Sequence, residues 1–239
     1  MFQALVNPDR FMAFSRWAAP LLGVISLVLA AAGLVLDFAA PPDYQQGYTV
    51  HIMFIHVPAA FMSEFVYACL GVASFLSLVF RHALATAAAR AAAPLGAGFT
   101  LLALVTGSLW GRPTWGTWWV WDPRLTSVLV LLLFYIGYMA LEAAIEDEAK
   151  AARAAAILAL VGLVNLPIVH YSVVWWNSLH QGSSLLRAGG PAMPTVYLVP
   201  LLLMVTAYMA AFGALWLVRI RGEVWRRRAE AQALRAARA

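Results

Sequence analysis

Six blocks of about 20 residues with almost no charge run along this 239-residue chain, and they limit its fold more than any other feature. A helix needs about 20 apolar residues to cross roughly 30 Å of hydrocarbon. None of the blocks alternates polar and apolar residues, as a membrane-spanning strand would. The blocks predict transmembrane helices near residues 17–38, 58–80, 91–109, 125–141, 154–174 and 196–218.

These blocks predict an all-α, polytopic membrane protein with six transmembrane helices. Hydrophobic residues make up 63% of the chain and charged residues only 11%, which excludes an ordinary soluble domain of this length. No internal repeat is visible, so residues 1–239 are predicted to form a single domain. Six is an even number, so both termini are expected on the same side of the membrane.

The distribution of Lys and Arg predicts the orientation. Only Arg112, Arg124 and Arg187 fall on the side away from the termini. The other thirteen cations lie on the same side of the membrane as the termini, and the positive-inside rule then predicts cytoplasmic N and C termini. The thirteen are Arg10, Arg16, Arg81, Arg90, Lys150, Arg153, Arg219, Arg221, Arg226, Arg227, Arg228, Arg235 and Arg238. The net charge of +5 is therefore a topology signal, which leaves the lipid bilayer as a partner and gives no reason to expect nucleic acid.

A tryptophan-rich segment, WGTWWVWD, lies on the outer side between predicted helices 3 and 4. On a short helix, Trp115, Trp118, Trp119 and Asp122 would stand at i, i+3, i+4 and i+7, which is one face. We expect this face to be a flat aromatic shelf on the outer membrane surface, suited to a large, flat, apolar ligand. The alternative is that the tryptophans only anchor the protein at the membrane interface.

The three residues after the tryptophans have two possible roles. Asp122 precedes Pro123, and an acid followed by a proline is the preferred chemistry of a helix start, so Asp122 is expected to cap span four. Capping is compatible with contact to a ligand. Arg124 and Arg112 are outside cations that could pair with a ligand carboxylate or with lipid phosphates.

Two histidines from different loops reach the depth of the tryptophans. Pro58 is expected to start span two, which leaves His56 just outside the helix, and His180 lies six residues past span five. Neutral imidazoles are good axial ligands of heme iron, and indoles pack on a porphyrin. With a single cysteine, Cys69, the chain has no CxxCH attachment motif, so any heme is expected to be b-type and non-covalent.

Three polar residues within or near the spans keep a second function open. Glu64, Asn165 and His170 could line a path for a heme or small-solute transporter. The concentration of aromatic and polar residues at one face favours ligand handling at that face instead. His51 could contact a heme propionate or lie on the loop surface.

Several longer motifs carry a family resemblance. DYQQG, IHVPAA, LVTGSLWGRPTWGTWWVWDPRLTS, NLPIVHYS and WWNSLHQGS resemble the heme exporter protein C (CcmC) family of the cytochrome c maturation system, with its WWD signature. The resemblance runs from about residue 43 to residue 182. His51 departs from it, because a basic Arg is expected at that position, and Glu64 stands where an apolar residue is expected.

The resemblance implies roles for individual residues. His56 and His180 match the two outward axial ligands of heme iron. The heme-contacting segment is matched by Trp115, Trp118, Trp119, Trp121 and Asp122.

The resemblance also implies the setting. Heme is presented at the periplasmic face of the bacterial inner membrane and passed to a periplasmic heme chaperone. The implied partners are the ATPase and membrane subunits of an ABC transporter and a small single-span subunit. The chain is expected to hold and transfer heme without being an enzyme itself.

Overall fold

The computed structural model describes residues 7–180, 182 and 189–237, and it is built from helices. Arg187 and Arg238, two of the cations used to predict the orientation, lie outside the described residues. A short 3-10 helix, Tyr48–Ile52, precedes α2. The α-helices are α1 (Pro8–Ala39), α2 (Met53–Phe80), α3 (Ala83–Trp115), α4 (Pro123–Ala144), α5 (Glu148–Gly162), α6 (Asn165–Trp175) and α7 (Thr195–Ala236).

Six helical stretches in the described part of the chain are long and apolar enough to cross a membrane, which confirms the six predicted spans. Four of them contain a single α-helix each: α1, α3, α4 and α7. The 3-10 helix and α2 together form another, and α5 and α6 together form the last. Most are longer than predicted because polar residues extend the helices beyond their apolar cores. In α1, for example, Asn7 caps the helix by accepting hydrogen bonds from the backbone N–H groups of Asp9 and Arg10.

The predicted start of span two is wrong. The 3-10 helix runs directly into α2, so the chain is already helical five residues before Pro58. Pro58 lies within α2 and is buried in the protein. The helix lacks only the backbone hydrogen bond that an N–H at this position would donate. His56 therefore lies on α2 itself, and His56, Ala60 and Glu64 share one face at helical spacing.

The fifth predicted span is interrupted. It consists of α5 and α6, separated by Leu163 and Val164, where backbone bonds join residues three apart. Pro167 explains the break, because its missing N–H is tolerated in the first turn of a new helix. The Asn165 amide donates to the carbonyl of Ser127 on α4, at 2.9 Å, so this buried polar group is satisfied at the break.

The helices pack as two close pairs, α1 against α7 and α2 against α3, with α4 and α5 completing the core. Tyr67, Leu131 and Tyr135 are fully buried at its centre. Two glycines provide the space for these tyrosine rings. A Cβ on Gly96 would lie 2.1 Å from the Tyr135 ring, and one on Gly162 would lie 1.9 Å from the Tyr67 hydroxyl. Small residues at helix contacts are typical of membrane bundles.

The two ends of the bundle differ in chemistry. At the terminal end, where α1 begins and α7 ends, Arg90 on α3 pairs with Glu142, Glu148 and Glu223. Arg226 on α7 also pairs with Glu148 and Glu223, so ion pairs join four helices there. The opposite end, which we call the Trp-rich end, holds the 3-10 helix, residues 116–122 and the described residues that follow α6. These five charged side chains at the terminal end are engaged with one another.

We predict that Gly96→Ala destabilises the bundle, because the added methyl group must displace the buried Tyr135 ring. Overpacking of this kind costs about 1–3 kcal/mol. Gly98→Ala on the same helix is the control, because a Cβ there meets nothing within 4 Å. Thermal unfolding in detergent should show a lower midpoint for Gly96→Ala alone. Equal midpoints would contradict the packing described above.

Candidate functional site

A cavity lies at the Trp-rich end, between α2, α3, α4, α6 and the segment after α6, and it encloses about 80 Å³. Five of the eight predicted site residues line it: His56, Trp115, Trp119, Arg124 and His180. The remaining lining residues are Ala60, Glu64, Ala103, Leu104, Gly107, Ser108, Leu125, Val128 and Val169. Trp118, Trp121 and Asp122 are not among the lining residues, and the structure places them differently.

The imidazole of His56 is held by α3. Its Nδ1 lies 3.0 Å from the carbonyl oxygen of Ala103 and 3.1 Å from the hydroxyl oxygen of Thr106. A carbonyl oxygen only accepts hydrogen bonds, so Nδ1 carries the proton. In the neutral ring, Nε2 is then the nitrogen with the free lone pair, and this form of histidine binds a metal ion.

Gly107, on the same helix, leaves room for this ring. A Cβ on Gly107 would lie 2.9 Å from Cε1 of His56 and 3.4 Å from Nδ1. Any larger residue would therefore push the imidazole off its two hydrogen-bond partners. The edge of Trp110 also packs on His56, with ring centroids 5.7 Å apart, and its Nε1 donates to the Gln46 side chain. A role for Gly107 was not predicted, although helical spacing on α3 would have placed it one turn from Ala103.

The prediction of one helix through Trp115, Trp118, Trp119 and Asp122 is wrong, because α3 ends at Trp115. Gly116 follows with φ +79°, a left-handed conformation that ends helices, and its N–H donates to the carbonyl of Arg112. The Thr117 hydroxyl then donates to the carbonyl of Trp119, a local bond that competes with helix formation. Residues 116–122 are irregular, so the indoles do not form one flat face.

The four tryptophans of the segment have different positions. The edge of Trp115 packs on His180, with ring centroids 4.8 Å apart. Trp119 lines the cavity, and its indole N–H is buried with no hydrogen-bond partner among the described residues. Trp118 and Trp121 are 56% and 76% exposed. Trp115 and Trp119 therefore line the cavity, whereas Trp118 and Trp121 are exposed.

Asp122 is the N-cap of α4, as predicted, but it does more than cap. Its Oδ1 accepts from the backbone N–H groups of Arg124 and Leu125, at 2.9 and 3.0 Å. Its Oδ2 accepts from the Ser178 hydroxyl and from the backbone N–H of Leu179. The carboxylate thus ties the start of α4 to the segment that carries His180, a link that the sequence did not reveal.

The charge states of Asp122 and His180 follow from these surroundings. Burial by itself would raise the pKa of Asp122, but the hydrogen bonds from Ser178, Leu125 and Leu179 lower its pKa below the usual range. Burial lowers the pKa of His180 and outweighs the nearby Asp122 carboxylate, which raises it. His180 Nδ1 lies 3.6 Å from Asp122 Oδ1, too far for a hydrogen bond. His180 is therefore neutral at pH 7, as a metal ligand must be.

Arg124 joins the cavity to α6. Its Nε donates to the Ser172 hydroxyl at 3.1 Å, and its Nη2 donates to the carbonyl of His170 at 2.9 Å. Glu64 lines the same cavity two turns below His56, and its carboxylate lies 3.9 Å from Nδ1 of His170. The sequence named no partner for Glu64; the structure brings it to the inner end of the cavity with Arg124.

The other predicted polar residues do not enter the cavity lining. His51 pairs with the buried carboxylate of Asp37 at the end of α1, so it is engaged within the protein. Cys69 is a free thiol that packs against the core. Among the described residues no group of three or more His, Cys, Asp or Glu side chains could hold a metal ion by itself.

These features define a class: a polytopic α-helical membrane protein with a ligand cavity at one end, lined by two histidines, two tryptophans and an arginine. Comparison with known proteins narrows the class. The family model described as heme exporter protein C (CcmC) matches residues 1–235. The chain belongs to this family.

Curated relatives with the same printed name are similar over nearly the whole chain. Heme exporter protein C of Bradyrhizobium diazoefficiens is 54% identical over 224 residues, which cover 94% of this chain and 85% of the relative. The Escherichia coli K12 protein is 48% identical over 219 residues, 91% of this chain and 88% of the relative. The Paracoccus denitrificans protein is 48% identical over 223 residues, 93% and 92% of the two chains.

Proposed function

We propose that this protein binds heme as cargo at the Trp-rich end and hands it on during c-type cytochrome maturation. The observation that carries the proposal is the pair of histidines on one cavity, with Nε2 of His56 left without a partner by the bond from its Nδ1 to Ala103. His56 and His180 would be the axial ligands of a non-covalent, b-type heme. Family membership and the printed names of the relatives support the same cargo.

The remaining lining residues fit the other parts of a heme. Trp115 and Trp119 offer apolar surface, and burial of apolar area is worth roughly 25 cal/mol per Å². The buried N–H of Trp119 and the guanidinium of Arg124 are donors suited to propionate oxygens. The Glu64 carboxylate lines the cavity with Arg124 and would compete with a propionate for the Arg124 guanidinium.

The size of the cavity bears on how heme would be held. Sites that enclose small molecules usually measure about 300–1,000 Å³, several times the 80 Å³ found here. Heme bound between His56 and His180 would therefore keep an edge outside the protein or separate the walls. An exposed edge suits transfer to a partner better than permanent retention. The protein itself need not make or break a covalent bond, and we propose that it is not an enzyme.

The proposed setting follows from charge and family. Cations concentrated beside the termini support a bacterial inner-membrane protein with cytoplasmic termini and a periplasmic heme site. The receiving partner is then a periplasmic heme chaperone. An ABC transporter, with its ATPase and membrane subunits, and a small single-span subunit complete the proposed assembly.

A transport path through the bundle is the second candidate, and the interrupted fifth span with Glu64 and His170 is the observation in its favour. The core argues against it. Tyr67, one turn below Glu64, is fully buried against Tyr135, with ring centroids 4.9 Å apart. The cavity ends above these tyrosines, and Asn165 is bonded to α4.

We predict that His56→Ala and His180→Ala each weaken heme retention and that the double variant loses the bis-histidine absorption spectrum. The measurement is the spectrum and heme content of the protein purified from membranes. His82→Asn is the matched control, because His82 caps α3 and asparagine keeps that role. Heme content and spectrum unchanged in the double variant would refute the proposal.

We predict that the tryptophans separate by position. Trp119→Phe should lower heme retention, since it removes the unpartnered N–H, whereas Trp121→Phe should retain heme like the wild type because Trp121 is 76% exposed. Heme loss in a dilution assay with a heme-scavenging protein measures the difference. Equal loss from both variants would mean that the cavity wall does not contact the cargo.

We predict that the inner end of the cavity is accessible only from the Trp-rich side. Cys69 is the only cysteine, so Cys69→Ala gives a background for Glu64→Cys. A membrane-impermeant maleimide should react with this cysteine from the periplasmic side of oriented vesicles. Reaction from the cytoplasmic side as well would favour the transport path.

A further inference from the structure

The Asp122 carboxylate accepts four hydrogen bonds that divide cleanly between its two oxygens. Oδ1 receives the two backbone N–H groups at the start of α4, and Oδ2 receives the Ser178 hydroxyl and the N–H of Leu179. The Asp122 side chain is only 6% exposed, so water competes little for these bonds. One oxygen thus serves the helix, and the other serves the segment after α6.

The Ser178 hydroxyl extends this connection to His180. Its oxygen accepts a hydrogen bond of 3.1 Å from the backbone N–H of His180 while its proton goes to Asp122. His180 comes from irregular backbone that follows α6, and its ring nitrogen Nδ1 has no hydrogen-bond partner among the described residues. The described hydrogen bonds near His180 therefore act through the backbone around Ser178. The Trp115 ring also packs on the imidazole, and Oδ1 of Asp122 lies 3.6 Å from its Nδ1.

We infer that Ser178, through Asp122, is a positioning residue for His180 as a heme ligand. The inference rests on the proposed function. An axial ligand on irregular backbone must be held close to its bound position, or each binding event has to order it first. Groups behind a metal ligand that orient it change metal affinity by about 10- to 100-fold when removed. Ser178 and Asp122 would supply that orientation without touching the heme.

The division between the two carboxylate oxygens makes a sharp test possible. Asp122→Asn keeps an oxygen for the backbone of α4, and asparagine caps helices as well as aspartate does. Its amide nitrogen cannot accept from Leu179 or from the Ser178 hydroxyl. Ser178→Ala removes the hydroxyl that bonds to Asp122 and to the backbone N–H of His180, while the helix cap and the bond from Leu179 remain.

Asp147 is a matched control. It caps α5 through the same pair of bonds, from the backbone N–H groups of Ala149 and Lys150, both at 3.0 Å. Those bonds go to one oxygen, and the other oxygen only faces the exposed Lys150. Asp147→Asn should therefore reproduce any general cost of the substitution at the opposite end of the bundle.

The experiment measures heme dissociation and the absorption spectrum of full-length protein purified with its heme. We expect Asp122→Asn and Ser178→Ala to release heme about 10- to 100-fold faster than wild type. We also expect both to show a spectrum with His180 partly detached, restored by added imidazole. Asp147→Asn should match wild type, and equal thermal stability of the three variants would separate positioning from folding.

Two outcomes would overturn the inference, and they can be told apart. If wild type holds bis-histidine heme and both link variants match it, Ser178 and Asp122 do not position the ligand while the proposed function stands. If wild type itself shows no bis-histidine heme, the proposed function fails and the positioning role fails with it. Faster loss without rescue by imidazole would also count against the inference, because a detached ligand should be replaceable.

Discussion

Every backbone N–H and C=O group within hydrocarbon must find a partner inside the protein, and this requirement decides where a site can be built. The six spans satisfy it with helices, so irregular backbone is confined mainly to their ends. The cavity lies at such an end, where α3 has stopped at Trp115 and α4 has not yet begun. The break between α5 and α6, at Leu163 and Val164, is tolerated because the next residue bonds to α4. The need to satisfy backbone groups in the membrane thus confines a site of this kind to the ends of the spans, whichever residues line it.

The sequence predicted the features that depend on local chemistry or on the composition of long segments. Six apolar blocks gave the six spans, and Asp122 before Pro123 gave the start of α4. His56 and His180 were predicted to share a depth, and the structure brings both onto one cavity. These predictions succeeded because each depends on neighbours in the chain or on total hydrophobicity.

The features that the sequence missed depend on competition between neighbouring signals or on contacts between distant segments. The helical spacing of Trp115, Trp118 and Trp119 was real, but Gly116 between them ends the helix. Pro58 is typical of a first helical position, but a 3-10 helix begins upstream of it, at Tyr48. The bond between Asp122 and Ser178 joins residues 56 positions apart, and no local pattern announces it.

The two histidines are held in unequal ways, and this inequality has a chemical consequence. His56 is on a helix, and its Nδ1–H donates a hydrogen bond to the carbonyl of Ala103, which makes Nε2 more basic. The ring of His180 stands on irregular backbone, with Nδ1 unbonded among the described residues. In the heme complex proposed above, His56 would therefore be the more firmly held ligand and His180 the one that exchanges more easily. A recipient that supplies its own ligand would then replace His180 before His56.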